Sequence, residues 1–219
     1  MYRAPLLRAL RVGDETLFAA FVAELASCEA GTTVHAVKRR NKTIGDAWEE
    51  FCVRHLRQLG WQAARLQECP DEILSERSLR RRDVGIDIVA TDEAGASVAV
   101  QCKYRRRGHR LCWRDVATFE ALCVRTGPWD KRLVMTTTAA IRREGSALDG
   151  DMFWGKGHFE RLPRHVWLDL AGLGTGHRCG GAAPARDVVD VRTRRLRFLE
   201  GSRGVDRGEV CDTAPHQDT

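Results

Sequence analysis

Asp87, Gln101 and Lys103 are polar residues set into two short runs that otherwise read as buried strand, Ile86-Asp-Ile-Val-Ala90 and Val98-Ala-Val-Gln-Cys-Lys103. An acid between isoleucines is costly to bury unless a cation, a metal or a set of hydrogen bonds meets it. Gln101 and Lys103 lie two residues apart, so they share one face of a strand while Val98, Val100 and Cys102 share the other. Two or three oxygen ligands suffice for Mg²⁺, which keeps waters and shares phosphate oxygens. Asp87 offers a carboxylate and Gln101 a neutral amide oxygen, with Mn²⁺ as an alternative ion. Lys103 would then reach an attacking water or a phosphate oxygen, and the chemistry implied is phosphodiester hydrolysis. Taken one at a time, the same residues have plainer roles: Asp87 capping a turn, Gln101 pairing across strands, Lys103 opening a basic run.

A third oxygen ligand has to come from another element. Thr43 to Leu59 has helical spacing, with Thr43 as expected N-cap, Asp46 three residues on and Gly60 as the stop. Steps of 100° put Ile44, Trp48, Cys52, Leu56 and Leu59 on one stripe, with Glu49 inside it and Glu50 on the far side beside Arg54 and Arg57. Periodicity alone leaves two readings of Glu49: an acid aimed inward, or one snorkelling at the stripe's edge.

Around these lie a strand at Trp61–Leu66, a polar connection over 67–82, and two site strands joined by a turn at Thr91–Gly95. A helix follows at Trp113–Thr126, stopped by Gly127-Pro128. Next come a buried, parallel strand at Lys131–Thr138 and a last strand at His165–Leu170. That order predicts an α/β fold, a mixed sheet with helices on its faces. An amphipathic helix is expected within Glu15–Ala30, packed on the domain or appended to it. From residue 171 the chain turns glycine-rich, with Phe198 its only aromatic, and is expected to be a disordered tail with one short helix at 187–199.

The formal charge is +6, and Arg greatly outnumbers Lys among the 36 basic residues. Two basic runs, Arg80-Arg81-Arg82 and Lys103-Tyr-Arg105-Arg106-Arg107-Gly-His-Arg110, bracket the site strands and nominate those arginines as contacts to a polyanion. No apolar stretch is long enough to predict a membrane span, and no secretory signal is evident at the N-terminus. The eight cysteines form no CxxC pair, which argues against a zinc framework and for reduced thiols in an intracellular, unsecreted protein.

Gly45-Asp-Ala-Trp-Glu49, Val84-Gly-Ile-Asp87-Ile-Val-Ala and Val100-Gln-Cys-Lys103-Tyr, in that order and spacing, resemble the restriction-endonuclease-like, PD-(D/E)xK superfamily. The likeness is strongest to its Mrr-like branch, where Gln replaces the motif's second acid, and it extends to nuclease domains fused to the front of some large helicases. It covers roughly Asn41 to Leu170, dividing the chain into an N-terminal extension (1–40), a nuclease domain (41–170) and the tail (171–219). The resemblance implies a catalytic set of Asp87, Gln101, Lys103 and Glu49, with a metal held by Asp87, Gln101, Glu49 and the Cys102 backbone carbonyl. It implies a Mg²⁺-dependent endonuclease acting on DNA. Two alternatives stand beside it. One is a structure-selective nuclease of the Holliday-junction-resolvase kind, which would act as a homodimer. The other is a non-catalytic DNA-binding module on a nuclease fold. The motif's usual Pro-Asp is Ile86-Asp87 here, and Gln101 lowers the charge of the site.

Overall fold

The long helix α3, Val34–Gln58, is the member on which the rest is assembled. In the computed structural model the described residues are 2–11, 17–27, 34–83, 85–105, 109, 111–138 and 153–173. α3 begins well before the expected Thr43. The run Lys38-Arg-Arg-Asn-Lys42 is helix-compatible, and Lys42 pairs with Asp46 one turn on (2.7 Å). Thr43 is therefore an interior residue: its hydroxyl donates to the Arg39 carbonyl at 3.0 Å instead of capping anything. From Ile44 onward the helix buries Ala47, Trp48, Phe51, Cys52, Val53, His55 and Leu56.

Before α3 come α1 (Arg3–Ala9) and α2 (Leu17–Ala26); α2 falls within the stretch read as an amphipathic helix. Both pack on the domain. Phe18 and Phe21 are buried, Phe21 lies 4.9 Å from Phe51, and Phe18 stacks on Phe159 at 5.3 Å between ring centres. The Tyr2 hydroxyl donates to the Leu170 carbonyl (2.8 Å), which ties the N-terminal helix to the far end of the domain.

Among the described residues five strands follow in spatial order β1 (Gln62–Arg65), β2 (Ile88–Thr91), β3 (Ser97–Lys103), β4 (Lys131–Thr136) and β5 (Phe153–Trp154). β1–β2 and β2–β3 are antiparallel, while β3–β4 and β4–β5 are parallel. The parallel placement of β4 follows from the intervening helix α5 (Trp113–Arg125), which carries the chain back across one face. A short helix α4 (Asp71–Glu76) lies in the connection from β1 to β2. The last helices among the described residues are α6 (Lys156–Glu160) and α7 (Arg164–Ala171).

α7 replaces the strand expected at 165–170. Trp167, Leu170 and Ala171 are buried at helical spacing, and Gly172 ends the helix in the left-handed region at φ 71°. The apparent alternation of His165-Val-Trp-Leu-Asp-Leu170 satisfied period 2 only over a segment too short to exclude period 3.6. The layers are as the α/β order implies. Ile88, Val98, Val100 and Met135 pack with α1, α2, α3, α6 and α7, whereas Val89, Ala99 and Val134 pack with α4 and α5. Beyond residue 173 the expected tail, its helix at 187–199 and its arginines lie outside the described residues.

Candidate active site

Asp87 sits one residue before β2, yet its main chain is held on both sides. Its N–H donates to the Val100 carbonyl (2.9 Å) and its carbonyl accepts from the Leu66 N–H (2.8 Å), so it is clamped between β1 and β3. Gly85 allows the approach. Its φ is +127°, and a Cβ there would meet the Phe119 backbone at 3.1 Å, so a side chain would push this segment off α5. The Asp87 carboxylate turns toward β3 and accepts the Cys102 N–H at 2.7 Å. Burial lifts its pKa to about 6, against the pull of the Cys102 N–H and the Lys103 ammonium.

Gln101 is 1 % exposed, because α5 covers the face of β3 on which Ala99 and Gln101 lie. Its Oε1 is buried without a hydrogen-bond partner among the described residues. A bare amide oxygen in that position costs about 1–3 kcal/mol, and an ordered water or an ion would meet it. Lys103, half-buried, ends β3 one residue beyond Cys102. Its own carbonyl accepts from the Thr136 hydroxyl (2.7 Å), which fastens the strand end to β4. Carbonyls alternate along a strand, so the Cys102 carbonyl turns to the same side as that of Val100, the side where the Asp87 carboxylate lies.

Glu49 comes from α3. The Trp48 indole N–H donates to the Met135 carbonyl (3.3 Å), which sets the rotation of the helix on the sheet. With Trp48 so placed, the next residue meets the field of Asp87. Burial raises Glu49 to about 7, and the Asp87 and Asp46 carboxylates push the same way, while Arg65 and Lys42 pull it down. Glu50 faces elsewhere, lining a cavity with Arg54 and Arg57. Asp87, Gln101 and Lys103 thus sit at one end of the β2–β3 pair, and Glu49 lies within the field of Asp87.

Among the described residues no three His, Cys, Asp or Glu are grouped as an ion cage. The donors that fit a hard divalent cation are two carboxylates, the bare Gln101 oxygen and a main-chain carbonyl, all oxygen as Mg²⁺ or Mn²⁺ prefers. The thiols of Cys52 and Cys102 lie beneath them, buried and free, and burial raises both pKa values. They stay protonated at neutral pH and are poor ligands.

The nominated arginines behave differently from one another. Arg80, Arg81 and Arg82 are exposed. Arg81 spends its guanidinium on the Gln67 carbonyl and Asp71, each at 2.7 Å. Arg105 pairs with Asp115, and the Thr137 hydroxyl accepts its N–H (2.8 Å) and donates to its carbonyl. Arg106, Arg107 and Arg110 lie outside the described residues. Arg65 was invisible to motif reading. It acts on Glu49 only because β1 pairs with β2 in a register that sets Arg65 opposite Ile88.

Residues 64–150 match the family model of the restriction endonucleases, Mrr catalytic type. Neither the curated proteins nor the solved structures include a match to this chain. The match begins in β1 and takes in Asp87, Gln101 and Lys103, but it starts after α3 and so leaves Glu49 to the geometry. Residues 64–150 of this chain belong to a restriction-endonuclease-like domain of the Mrr type, a nuclease fold.

Proposed function

We propose that the chain is a metal-dependent endonuclease that hydrolyses the phosphodiester bonds of DNA, with Asp87, Gln101, Lys103 and Glu49 as its catalytic set. The observation that carries this reading is the buried, unpartnered Gln101 oxygen on β3, whose next residue, Cys102, donates its N–H to the Asp87 carboxylate, and which lies two residues from Lys103. Asp87, Glu49, the Gln101 oxygen and the Cys102 carbonyl would hold Mg²⁺ or Mn²⁺. Such an ion, when bound, polarises the phosphoryl group and lowers the pKa of water.

The chain's own residues supply the rest. Asp87 is held in place by three main-chain hydrogen bonds, so its carboxylate needs no reorganisation to receive a cation. Lys103, at the end of its strand, donates to the attacking water or to a non-bridging oxygen and offsets the charge that builds on phosphorus. The Thr136 hydroxyl keeps the strand end of Lys103 from fraying. Arg80, Arg82 and Arg105 with its neighbours 106, 107 and 110 would line the DNA backbone.

The test is cleavage of supercoiled plasmid, linear duplex and a four-way junction by the full chain with Mg²⁺ or Mn²⁺. Lys103→Ala and Asp87→Asn are expected to lose at least about 10²-fold in rate while keeping the fold. Equal cutting by wild type and Lys103→Ala would remove the assignment. A preference for the junction would favour the structure-selective form, and metal-independent binding with no cutting of any substrate would favour a binding module.

A further inference from the structure

Arg54 and Arg57 on α3 and Arg65 on β1 line a cavity of about 180 Å³ with Val53, Glu50 and Glu68. That is many times the roughly 15 Å³ needed to admit one water, room enough for a phosphate. We propose that this groove is a phosphate subsite for the nucleic acid backbone, beyond the β1 edge of the sheet and separate from the two basic runs. The inference rests on the nuclease reading for its ligand class, though its residues form no part of the catalytic set.

Three guanidinium groups face two carboxylates there, so the acids offset part of the charge and leave the groove net positive. Glu68 pairs with Arg65 and so fixes its planar head. Glu50 lies near Arg65 and Tyr2 on the helix side. Among the described residues Arg57 spends its Nε alone, on the Ala63 carbonyl at 2.8 Å, which leaves both terminal nitrogens to donate. The Arg54 guanidinium carbon lies 5.7 Å from the Tyr2 ring centre, a cation–π distance that consumes none of its donors. Preordered arginine forks suit the tetrahedral oxygens of a phosphate better than free lysines do.

Position ties the groove to the chemistry. Arg65 stands one residue along from the pair that holds Asp87, since the next residue, Leu66, donates its N–H to the Asp87 carbonyl. Glu50 and Glu49 are adjacent on α3, one facing each site. A strand whose scissile phosphate lies at Asp87 and Lys103 would pass a flanking phosphate across β1 into the groove. The DNA path would then run over the edge of the sheet.

The experiment is salt-dependent binding of a fluorescently labelled duplex to the full chain in metal-free buffer. The Arg54→Gln/Arg57→Gln variant is set against wild type and against Arg161→Gln/Arg164→Gln, which removes equal charge from exposed positions that do not line the groove. Thermal melting checks the fold, and Arg57→Lys supplies a second variant that keeps the charge but loses the fork. The groove variant is expected to bind about tenfold more weakly, with a salt slope shallower by about 1, the value of one released phosphate contact. Arg57→Lys should weaken binding while keeping most of the slope, and the control pair should match wild type. A duplex with a 5′-phosphate is run beside one with a 5′-hydroxyl; equal effects of the variant on both mean a backbone phosphate, and an effect on the first alone means a terminal one. A folded groove variant with wild-type affinity and slope, or one indistinguishable from the control pair, overturns the proposal. Loss of cleavage with this binding pattern intact would count against the nuclease reading alone.

Discussion

A carboxylate taken out of water keeps its proton to higher pH, and Glu49 and Asp87 are each half-buried within reach of the other's field. With pKa values near 7 and 6, neither is fully ionised in the metal-free protein at mildly acidic pH. A cation competes with those protons. Cleavage is therefore expected to fall by about tenfold per pH unit once the pH drops below 7, and the fall should move to lower pH as Mg²⁺ is raised. The sign for stability is opposite. Both folded values lie above the unfolded ones, so the stabilising contribution is present below about pH 4 and is lost as the pH rises through 6 and 7. Metal-free protein should melt lower at pH 8 than at pH 5.5 on this account, and Glu49→Gln should flatten the difference by a few degrees, on the order expected for a domain of this size. A Glu49→Gln protein whose melting depends on pH as steeply as wild type would remove Glu49 from the site.

At the scale of elements, the proposed site residues are delivered by packing contacts elsewhere. Trp48 orients α3 through the Met135 carbonyl, Gly85 lets the segment before β2 touch α5, and Thr136 ties off β3. Gly85→Ala makes this dependence measurable. The added methyl must displace either the chain before Asp87 or the backbone of α5, at a positive φ that alanine avoids. A loss of about 1–3 kcal/mol is expected by denaturant titration, with cleavage falling more than stability accounts for. A variant of wild-type stability and rate would mean that the close approach at Gly85 does not set Asp87.

At the scale of the molecule, the N-terminal helices complete the core rather than decorate it. Phe18, Phe21, Leu25, Leu6 and Tyr2 are all buried against α3, α6 and α7. Removing residues 1–27 would bare Phe51, Trp48 and Trp167 together, an apolar face of the size that drives aggregation. The truncated chain is expected to be insoluble or to lose its cooperative melt, whereas Phe21→Ala in the full chain should cost about 3–5 kcal/mol and still fold. A soluble truncation with a sharp transition would show that α1 and α2 are dispensable. Among the described residues, no helix is long and apolar enough to cross a membrane.

The order of chemistry along the chain is legible in the amino acids themselves. Asp87, Gln101 and Lys103 stand out because strands bury alternate residues and these three interrupt that economy, and Glu49 separates from Glu50 because a helix turns 100° per residue. The α/β class and the parallel β4 follow from the same local periods. What local period cannot carry is register, phase at short length, and partners distant in sequence. Six residues at 165–170 fit both periods, and only the burial of Trp167 and Ala171 against the rest of the domain selected the helix. The bare oxygen of Gln101 exists because α5 closes over it, and Arg65 reaches Glu49 because β1 pairs with β2 in one register. Sequence determined which residues could act; the folding of distant segments onto one another decided which of them meet.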